Sequence, residues 1–126
     1  MSFFPGMSAA IAARVPLPIT FSGSFSATAG TSTVTSSTRT ATVPASNSGQ
    51  ITFASMTSTA GDQQYSKNGG GFVSFSQGDM ITLADGDTLA IRATGCGSSG
   101  VGITSLTIAD FDNSGAIESG IAIKRS

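Results

Sequence analysis

The segment from Asp110 to Glu118 carries the set of side chains that comes nearest to a metal-binding motif. It reads Asp-Phe-Asp-Asn-Ser-Gly-Ala-Ile-Glu, so its oxygen-bearing side chains precede a glycine, as in the first half of an EF-hand calcium loop. The glutamate that would close such a loop falls at Ile121, and Glu118 comes three residues too early. A turn between two strands is therefore the favoured interpretation, and calcium in a looser loop is the alternative.

Three more aspartates, Asp79, Asp85 and Asp87, flank one predicted hairpin. Two neighbouring carboxylates can act together in hydrolysis, or can bind a hard cation with Asp110 and Asp112. Aspartate is also common in turns, because its side chain accepts hydrogen bonds from the nearby backbone. We expect turn chemistry here. The chain has no histidine for a Ser-His-Asp triad and no GxxxxGK[ST] phosphate loop.

The candidate ligand loop consists of Gln63, Gln64, Tyr65 and Lys67, ahead of a glycine-rich turn at 68–71. Amides and a tyrosine beside mobile glycines are suited to contacts with a sugar ring or a protein partner. The chain has no tryptophan and one tyrosine, however, which is little material for an aromatic platform. The segment is predicted to be an exposed loop, and ligand binding by it is the more specific hypothesis.

The single cysteine, Cys96, lies in a predicted glycine- and serine-rich loop at 94–100. One cysteine can form neither an intrachain disulfide nor a cysteine-based metal site. The segment holds no acid, base or cation that would activate the thiol as a nucleophile. A structural or incidental thiol is therefore favoured, with an interchain disulfide as the alternative.

The elements that must position these side chains are short runs in which apolar and hydroxyl residues alternate. Such runs predict strands at 19–26, 33–43, 51–56, 72–75, 80–83, 88–94, 101–108 and 120–124. Turn signals separate most of them, including the Asp85-Gly86 pair of a tight hairpin. The pattern predicts an all-β fold, an antiparallel β-sandwich or jelly roll of about eight strands that spans residues 18–126.

The large apolar side chains of these strands form the predicted core. Its members are Phe21, Phe25, Val43, Ile51, Phe53, Phe72, Phe75, Ile81, Leu83, Leu89, Ile91, Ile103, Leu106, Ile108 and Ile121. In the strand at 88–94, the alternation directs Leu89 and Ile91 inward and Arg92 outward.

An extended N-terminal arm, residues 1–17, precedes the predicted sandwich. Its candidate assembly residues are Phe3, Phe4, Pro5, Met7 and Ile11. These apolar residues either pack against their own domain or dock on a neighbouring subunit. The start of the chain has no cationic region before its small-residue stretch, so we expect no signal peptide. No run of residues reaches the length of a membrane span.

The composition is poor in charge and rich in hydroxyls. Only 10% of the 126 residues are charged and the formal net charge is -1, whereas serine and threonine number 21 and 16. The six cations form no basic stripe, so nucleic-acid binding is not expected. A surface with so little charge repels its own copies weakly, and this favours a homo-oligomer.

The light hydroxyl-rich strands, the apolar arm and the hairpin from Ala84 to Arg92 resemble small virion proteins of tailed bacteriophages. The similar type is the β-sandwich decoration or fibre-like protein that coats a head or tail. This resemblance implies a non-enzymatic virion subunit, made in the host cytoplasm without a cofactor, whose partners are its own copies and other virion structural proteins. A glycan- or host-surface-binding module that uses the loops at 63–71 and 95–100 is the alternative. A hydrolase acting through Asp85 and Asp87 is a third hypothesis.

Overall fold

The computed structural model describes residues 16–59 and 61–126, and this part of the chain folds into strands without helices. The strands are β1 (Thr20–Phe21), β2 (Ala27–Ala29), β3 (Val34–Thr35), β4 (Arg39–Thr42), β5 (Gln50–Ser58), β6 (Gln63–Lys67), β7 (Val73–Ser74), β8 (Met80–Thr82), β9 (Thr88–Ala93), β10 (Gly102–Asp110) and β11 (Gly115–Arg125). Among these residues no helix is long and apolar enough to cross a membrane.

Two sheets build the fold. Sheet I has the strand order β1-β4-β9-β6-β7, with β3 also paired to β9, and sheet II has the order β2-β11-β10-β5-β8. The all-β sandwich is therefore confirmed, but the strand number and direction need correction. The described residues form eleven strands rather than about eight, and β2 runs parallel to β11 while the other pairs are antiparallel.

The core lies between the two sheets and follows the predicted alternation closely. The fully buried large side chains are Phe25, Phe53, Ile19, Ile51, Leu83, Leu89, Ile91, Ile103, Leu106, Ile108, Ile121 and Ile123. Three predicted core residues, Phe21, Val43 and Ile81, are partly buried and pack against this cluster. The prediction that Phe72 belongs to the core is wrong. Phe72 is half-buried beneath Arg92, which points away from the core.

Two predicted strands are interrupted in the structure. The run at 19–26 is broken around Gly23, whose φ of 81° interrupts the extended chain between β1 of sheet I and β2 of sheet II. The run at 33–43 is broken because Ser36 accepts the Ile91 N–H with its side chain, at 2.9 Å. Hydroxyl groups that bond to backbone in this way interrupt a ladder that alternation alone predicts to be continuous.

Candidate functional site

Four residues form a straight row across the outer face of sheet I, one on each of four neighbouring strands. This outer-face row consists of Thr35 on β3, Arg92 on β9, Gln64 on β6 and Ser74 on β7. Ile91 and Ala93 on either side of Arg92 are fully buried, so Arg92 points away from the core. Cross-strand neighbours in register lie close enough for their side chains to interact.

Hydrogen bonds connect the row to Asp62, which directly precedes β6. Gln64 and Ser74 bond to Asp62 directly, and Arg92 is connected to it through Gln64. Arg92 Nε donates to Gln64 Oε1 at 2.7 Å. Asp62 Oδ2 accepts from Ser74 Oγ at 2.5 Å and from Gln64 Nε2 at 2.9 Å. The hydrogen bonds from Ser74 and Gln64 lower the pKa of Asp62 below its ordinary value, so this carboxylate is ionised at neutral pH. The amide of Gln64 thus joins a cation to an anion.

The guanidinium of Arg92 lies over an aromatic ring. Its Cζ is 3.9 Å from the centroid of the Phe72 ring, a cation–π arrangement that orients the planar group. Within residues 16–59 and 61–126, the hydrogen bond of Arg92 is made by Nε, the two terminal amino groups make no hydrogen bond to the protein, and the charge of Arg92 is attracted by that of Asp62. Arginine held in this way presents a two-donor edge that matches the geometry of a carboxylate.

The prediction of a loop at the candidate ligand residues is wrong, because Gln63–Lys67 is strand β6 in the interior of sheet I. Partners on both sides explain the difference: β9 and β7 satisfy the backbone of this polar segment. The turn is confined to 68–71, where Asn68 has a φ of 55° and its side chain accepts the Thr88 N–H at 2.9 Å. Of the predicted residues, Gln64 alone joins the outer-face row.

Tyr65 lies on the opposite face of β6, toward the core. Its ring centroid is 5.8 Å from that of Phe53 and 6.2 Å from that of Phe75. Phe53 and Phe75 are stacked on each other with their centroids 4.0 Å apart. The tyrosine therefore completes an aromatic cluster of the core, and it is not placed beside Gln64 as a ligand platform.

The side chain of Lys67 contacts β8, an edge strand of sheet II. Its Nζ donates to the carbonyl oxygen of Thr82 on β8 at 2.7 Å and lies 3.9 Å from Asp87 Oδ2. A lysine on the outward carbonyl of an edge strand hinders the addition of a further strand there. Gln63 belongs neither to the outer-face row nor to the Lys67 contacts, since its Nε2 donates to Ser58 Oγ at 2.7 Å.

The chain enters the sandwich through residues 16–19, which we call the arm root. Asn47 Nδ2 donates to the Leu17 carbonyl at 2.9 Å, and the Ile19 N–H donates to Asp110 Oδ2 at 2.9 Å. The Ile19 side chain is 1% exposed. The arm root is therefore fixed both to the loop before β5 and to the end of β10.

Asp110 is a buried acceptor for several donors. In addition to the Ile19 N–H, it accepts from Asn47 Nδ2 at 2.9 Å, from the Asp112 N–H at 3.0 Å and from Asn113 Nδ2 at 3.2 Å. Burial raises the pKa of Asp110, and the hydrogen bonds from Ile19, Asn113 and Asn47 lower it. Together the hydrogen bonds have the larger effect, so the pKa of Asp110 lies below its ordinary value. The side chain that resembled a calcium ligand instead holds the arm root.

The favoured interpretation of the Asp110–Glu118 segment is confirmed, because its residues 111–114 form the turn between β10 and β11. Its other acids serve separate contacts. Asp112 accepts from the backbone and side chain of Ser48, and Glu118 accepts from Ser24 Oγ at 2.6 Å. Among the described residues, no three His, Cys, Asp or Glu side chains are grouped closely enough to hold a metal ion.

The three hairpin aspartates also have the predicted turn role. Asp79 and Asp87 each accept a hydrogen bond from the backbone N–H three residues earlier, at 2.9 and 2.8 Å. Asp85 reaches across to β4 and accepts the Val43 N–H at 2.9 Å. The hydrogen bond from the backbone of Ala84 lowers the pKa of Asp87. Each carboxylate therefore stabilises a turn or a strand end.

Cys96 lies in the predicted loop, and its side chain is buried. Its side chain is 0% exposed, and its sulfur lies 3.7 Å from the Ala93 carbonyl oxygen. The backbone around it is held from outside by Arg125, whose Nη1 donates to the carbonyls of Cys96 and Gly97. The structural interpretation of the thiol is supported, and an interchain disulfide would require the core to open.

Sequence reasoning missed Asp62, Phe72 and Ser74 as members of the group around Arg92, in which Phe72 contacts Arg92 directly and Ser74 hydrogen-bonds to Asp62. The signal for Arg92 was present in the alternation of β9, and Phe72 and Ser74 are two residues apart in a predicted strand and so share a face. Strand β6 was not predicted, because its mostly polar residues show no apolar alternation. The predicted assembly residues, Phe3, Phe4, Pro5, Met7 and Ile11, lie outside the described residues.

Comparison with known proteins adds no relative to this picture. The chain matches no protein-family model, no curated protein and no solved structure. Within the described ranges no cleft or cavity is found, and the outer-face row lies on an open sheet surface. The function is therefore inferred from the arm root and from the outer-face row.

Proposed function

We propose that this protein is a non-enzymatic structural subunit that assembles in many copies and stabilises or decorates the head or tail of a tailed bacteriophage. The observation that carries the proposal is the arm root. Leu17 and Ile19 are hydrogen-bonded to Asn47 and Asp110, directly after the apolar arm segment at 1–15. A force applied to the arm by a neighbouring subunit would pass into the loop before β5 and into the end of β10.

The composition of the arm supports a contact outside its own domain. It holds Phe3, Phe4, Met7 and Ile11 but a single charged side chain, Arg14. Full burial of a large apolar side chain contributes about 1.5–3 kcal/mol. Fifteen extended residues span about 50 Å at most, against a radius of gyration of about 13 Å for a domain of this size. Such an arm is long enough to reach a neighbour.

The sheet edges favour the arm over strand addition as the contact between copies. Each sheet ends in strands of two or three residues, namely β1 and β7 in sheet I and β2 and β8 in sheet II. Lys67 also occupies the outward carbonyl of Thr82 on β8. Short and capped edges disfavour edge-to-edge pairing between copies.

The remaining parts of the proposal follow from charge and from the use of the carboxylates. A net charge of -1 and scattered cations support partners that are its own copies and other virion proteins rather than nucleic acid or a membrane. Asp85 and Asp87, the residues of the hydrolase hypothesis, accept backbone hydrogen bonds in a turn. This use supports a role without catalysis. The proposed location is the virion, after synthesis in the host cytoplasm.

The test is the solution mass of the full-length chain, measured by sedimentation velocity over a concentration series. We expect the unaltered chain to form a trimer or larger species. The double variant Phe3→Ser with Phe4→Ser should shift the population to monomer, because it removes the largest apolar side chains of the arm. An unchanged mass for this variant would contradict the role of the arm.

The matched control replaces two exposed apolar side chains of the sandwich, Val73 and Met80, which are 52% and 50% exposed. The double variant Val73→Ser with Met80→Ser removes a comparable apolar area without touching the arm, and it should keep the oligomer mass. Dissociation of the control alone would place the contact on β7 and β8 instead. An unaltered chain that is monomeric at every concentration would overturn self-assembly.

A second candidate function, a binding module for a glycan or a host surface, is favoured by the outer-face row. Arg92, Gln64, Asp62 and Ser74 hold one another in place on an exposed sheet face. A surface that is oriented before binding loses little side-chain freedom when a ligand arrives. A monomer that binds a saccharide would support this second function.

A further inference from the structure

We propose that the outer-face row is a binding site for an acidic saccharide, in which Arg92 holds the carboxylate of the sugar. The inference goes beyond the structural role, because binding at this face needs neither the arm nor an assembled state. It depends on three features of the row: a free two-donor edge, acceptor and hydroxyl groups beside it, and its position across the strands.

The donor edge belongs to Arg92. Its Nε donates to Gln64 Oε1 at 2.7 Å, and its Cζ lies 3.9 Å above the Phe72 ring. These two contacts fix the plane of the guanidinium and occupy one of its edges. Among the described residues the terminal amino groups make no hydrogen bond, so their N–H groups remain for a carboxylate, which accepts two parallel hydrogen bonds from such an edge.

The groups beside Arg92 suit the hydroxyls of a sugar. Thr35, its cross-strand neighbour on β3, is exposed and carries a hydroxyl that both donates and accepts. On the other side, Gln64 leads to the ionised carboxylate of Asp62, whose Oδ2 already has two donors. The carboxylate of Asp62 also accepts from the backbone of Gln63, and as an ionised group it has capacity for one more hydrogen bond, from a sugar hydroxyl.

An acidic sugar fits this pattern better than a peptide does. Peptides are commonly recognised through an apolar anchor in a pocket, by strand addition at a sheet edge or, when they are acidic, by a cluster of arginines, whereas the row holds the single arginine Arg92. The row crosses the interior strands β9 and β6, and the guanidinium covers one face of the Phe72 ring. A ligand that carries one carboxylate and several hydroxyls matches a row in which Arg92 lies between the hydroxyl of Thr35 and the amide of Gln64, with the anion Asp62 beside the row.

The hydrogen bonds of the row reduce the cost of binding. A free arginine side chain loses much of its rotamer entropy when it is immobilised. Here the Gln64 and Phe72 contacts already restrict Arg92, and Asp62 fixes Gln64 through its Nε2. The affinity still rests on few contacts at an open surface, so we expect dissociation constants in the millimolar range.

The experiment is an NMR titration of the ¹⁵N-labelled full-length chain, followed at the Arg92 Nε–H and the Gln64 side-chain amide. The probes are 3′-sialyllactose, lactose as its neutral counterpart, and acetate as a carboxylate without hydroxyls. We expect a saturable shift of both signals with 3′-sialyllactose, and at least tenfold weaker binding of lactose and of acetate. Absence of a saturable shift, or equal binding of acetate, would overturn the proposal.

Variants separate the row from general charge effects. Arg92→Gln should weaken binding of 3′-sialyllactose at least tenfold, and Arg92→Lys should weaken it less, because lysine keeps the charge but loses the planar donor pair. The matched control is Lys124→Gln, which removes one positive charge from β11 of sheet II. Equal losses for Arg92→Gln and Lys124→Gln would overturn the assignment.

A folding control keeps the result interpretable. Thermal unfolding of each variant shows whether the sandwich is intact, and Arg92→Lys preserves a cation over Phe72 should Arg92→Gln fail to fold. Saccharide binding is read from side-chain shifts and self-assembly from sedimentation. The failure of either proposal is therefore visible without the other.

Discussion

Asp110 shows how a single side chain can connect distant parts of this chain. Its carboxylate accepts hydrogen bonds from residues 91 positions earlier, at Ile19, and 63 positions earlier, at Asn47. The side chain is buried, and no cation is needed because N–H dipoles surround its charge. Removal of an acceptor from such a group leaves buried donors without partners, and that penalty exceeds the value of the bonds themselves.

Substitution of this acceptor should destabilise the protein strongly. In Asp110→Asn one acceptor oxygen becomes an NH₂ group that faces donors such as the Ile19 N–H and Asn113 Nδ2. We expect the free energy of unfolding to fall by about 2–4 kcal/mol, measured by urea denaturation.

The matched control is Asp85→Asn at the exposed hairpin. Asp85 uses one oxygen, Oδ1, to accept the Val43 N–H, and asparagine retains one such oxygen. We expect a loss below about 1 kcal/mol for this variant, in the range of ordinary surface substitutions. Equal losses for the two variants would contradict the special role of Asp110.

At the scale of elements, alternation predicted the strands whose inward faces are apolar. The predicted runs at 51–56, 80–83 and 88–94 agree with β5, β8 and β9 to within two residues. Their inward residues, such as Ile51, Leu89 and Ile91, are fully buried. These strands form where apolar side chains are buried at every second position, so the alternation in the sequence is sufficient to predict them.

β6 could not be predicted in the same way, and the candidate site was incomplete as a result. Its sequence, Gln-Gln-Tyr-Ser-Lys, has one large apolar side chain, and its extended state depends on backbone pairing to β9 and β7. Tertiary context determines such a segment. Gln64 was therefore expected in a loop, whereas Arg92 was correctly expected to point outward, and the contact between them was not foreseen.

The start of β10 depends on a close backbone approach. Gly102 has a φ of 143°, and a Cβ there would lie 2.5 Å from the Ile123 carbonyl oxygen and 2.9 Å from the Lys124 Cα. Gly102→Ala should therefore reduce the free energy of unfolding by about 2–4 kcal/mol, through backbone strain and overpacking. Thermal and urea unfolding measure the effect.

The control for this prediction is Gly30→Ala. A Cβ at Gly30 meets no heavy atom within 4 Å, and its φ is outside the region that favours glycine. This variant should be neutral or more stable by about 0.4–1 kcal/mol, because alanine restricts the unfolded chain. A Gly102→Ala variant as stable as the control would show that β10 and β11 adjust freely.

For the whole molecule, stability near neutral pH should be almost independent of pH and should decline in acid. The chain has no histidine, and hydrogen bonds hold the pKa values of Asp62, Asp87 and Asp110 below their ordinary value in the folded state. The unfolded state therefore binds more protons as the pH falls through 4. Stability from these groups is present above their unfolded pKa and is lost as the pH falls toward the folded values.

The measurement is the free energy of unfolding from pH 8 to pH 3, obtained by urea denaturation. We expect a flat profile between pH 8 and 6 and a decline below about pH 4.5. Asp110→Asn should show a shallower decline, because one of the three titrating carboxylates is absent. A loss of stability between pH 8 and 6 would contradict the prediction.

The parallel pair of β2 and β11 also has a consequence for the order of folding events. Ala27 pairs with Ile123, so β2 meets its partner only when nearly a hundred further residues are available. Until then β2 cannot close sheet II, and a growing chain exposes apolar strands without partners. Non-local pairing of this kind slows folding to the millisecond-to-second range. The completed sheet is therefore a late product of biosynthesis, and until it forms, the exposed apolar strands of unfinished copies are prone to associate with one another.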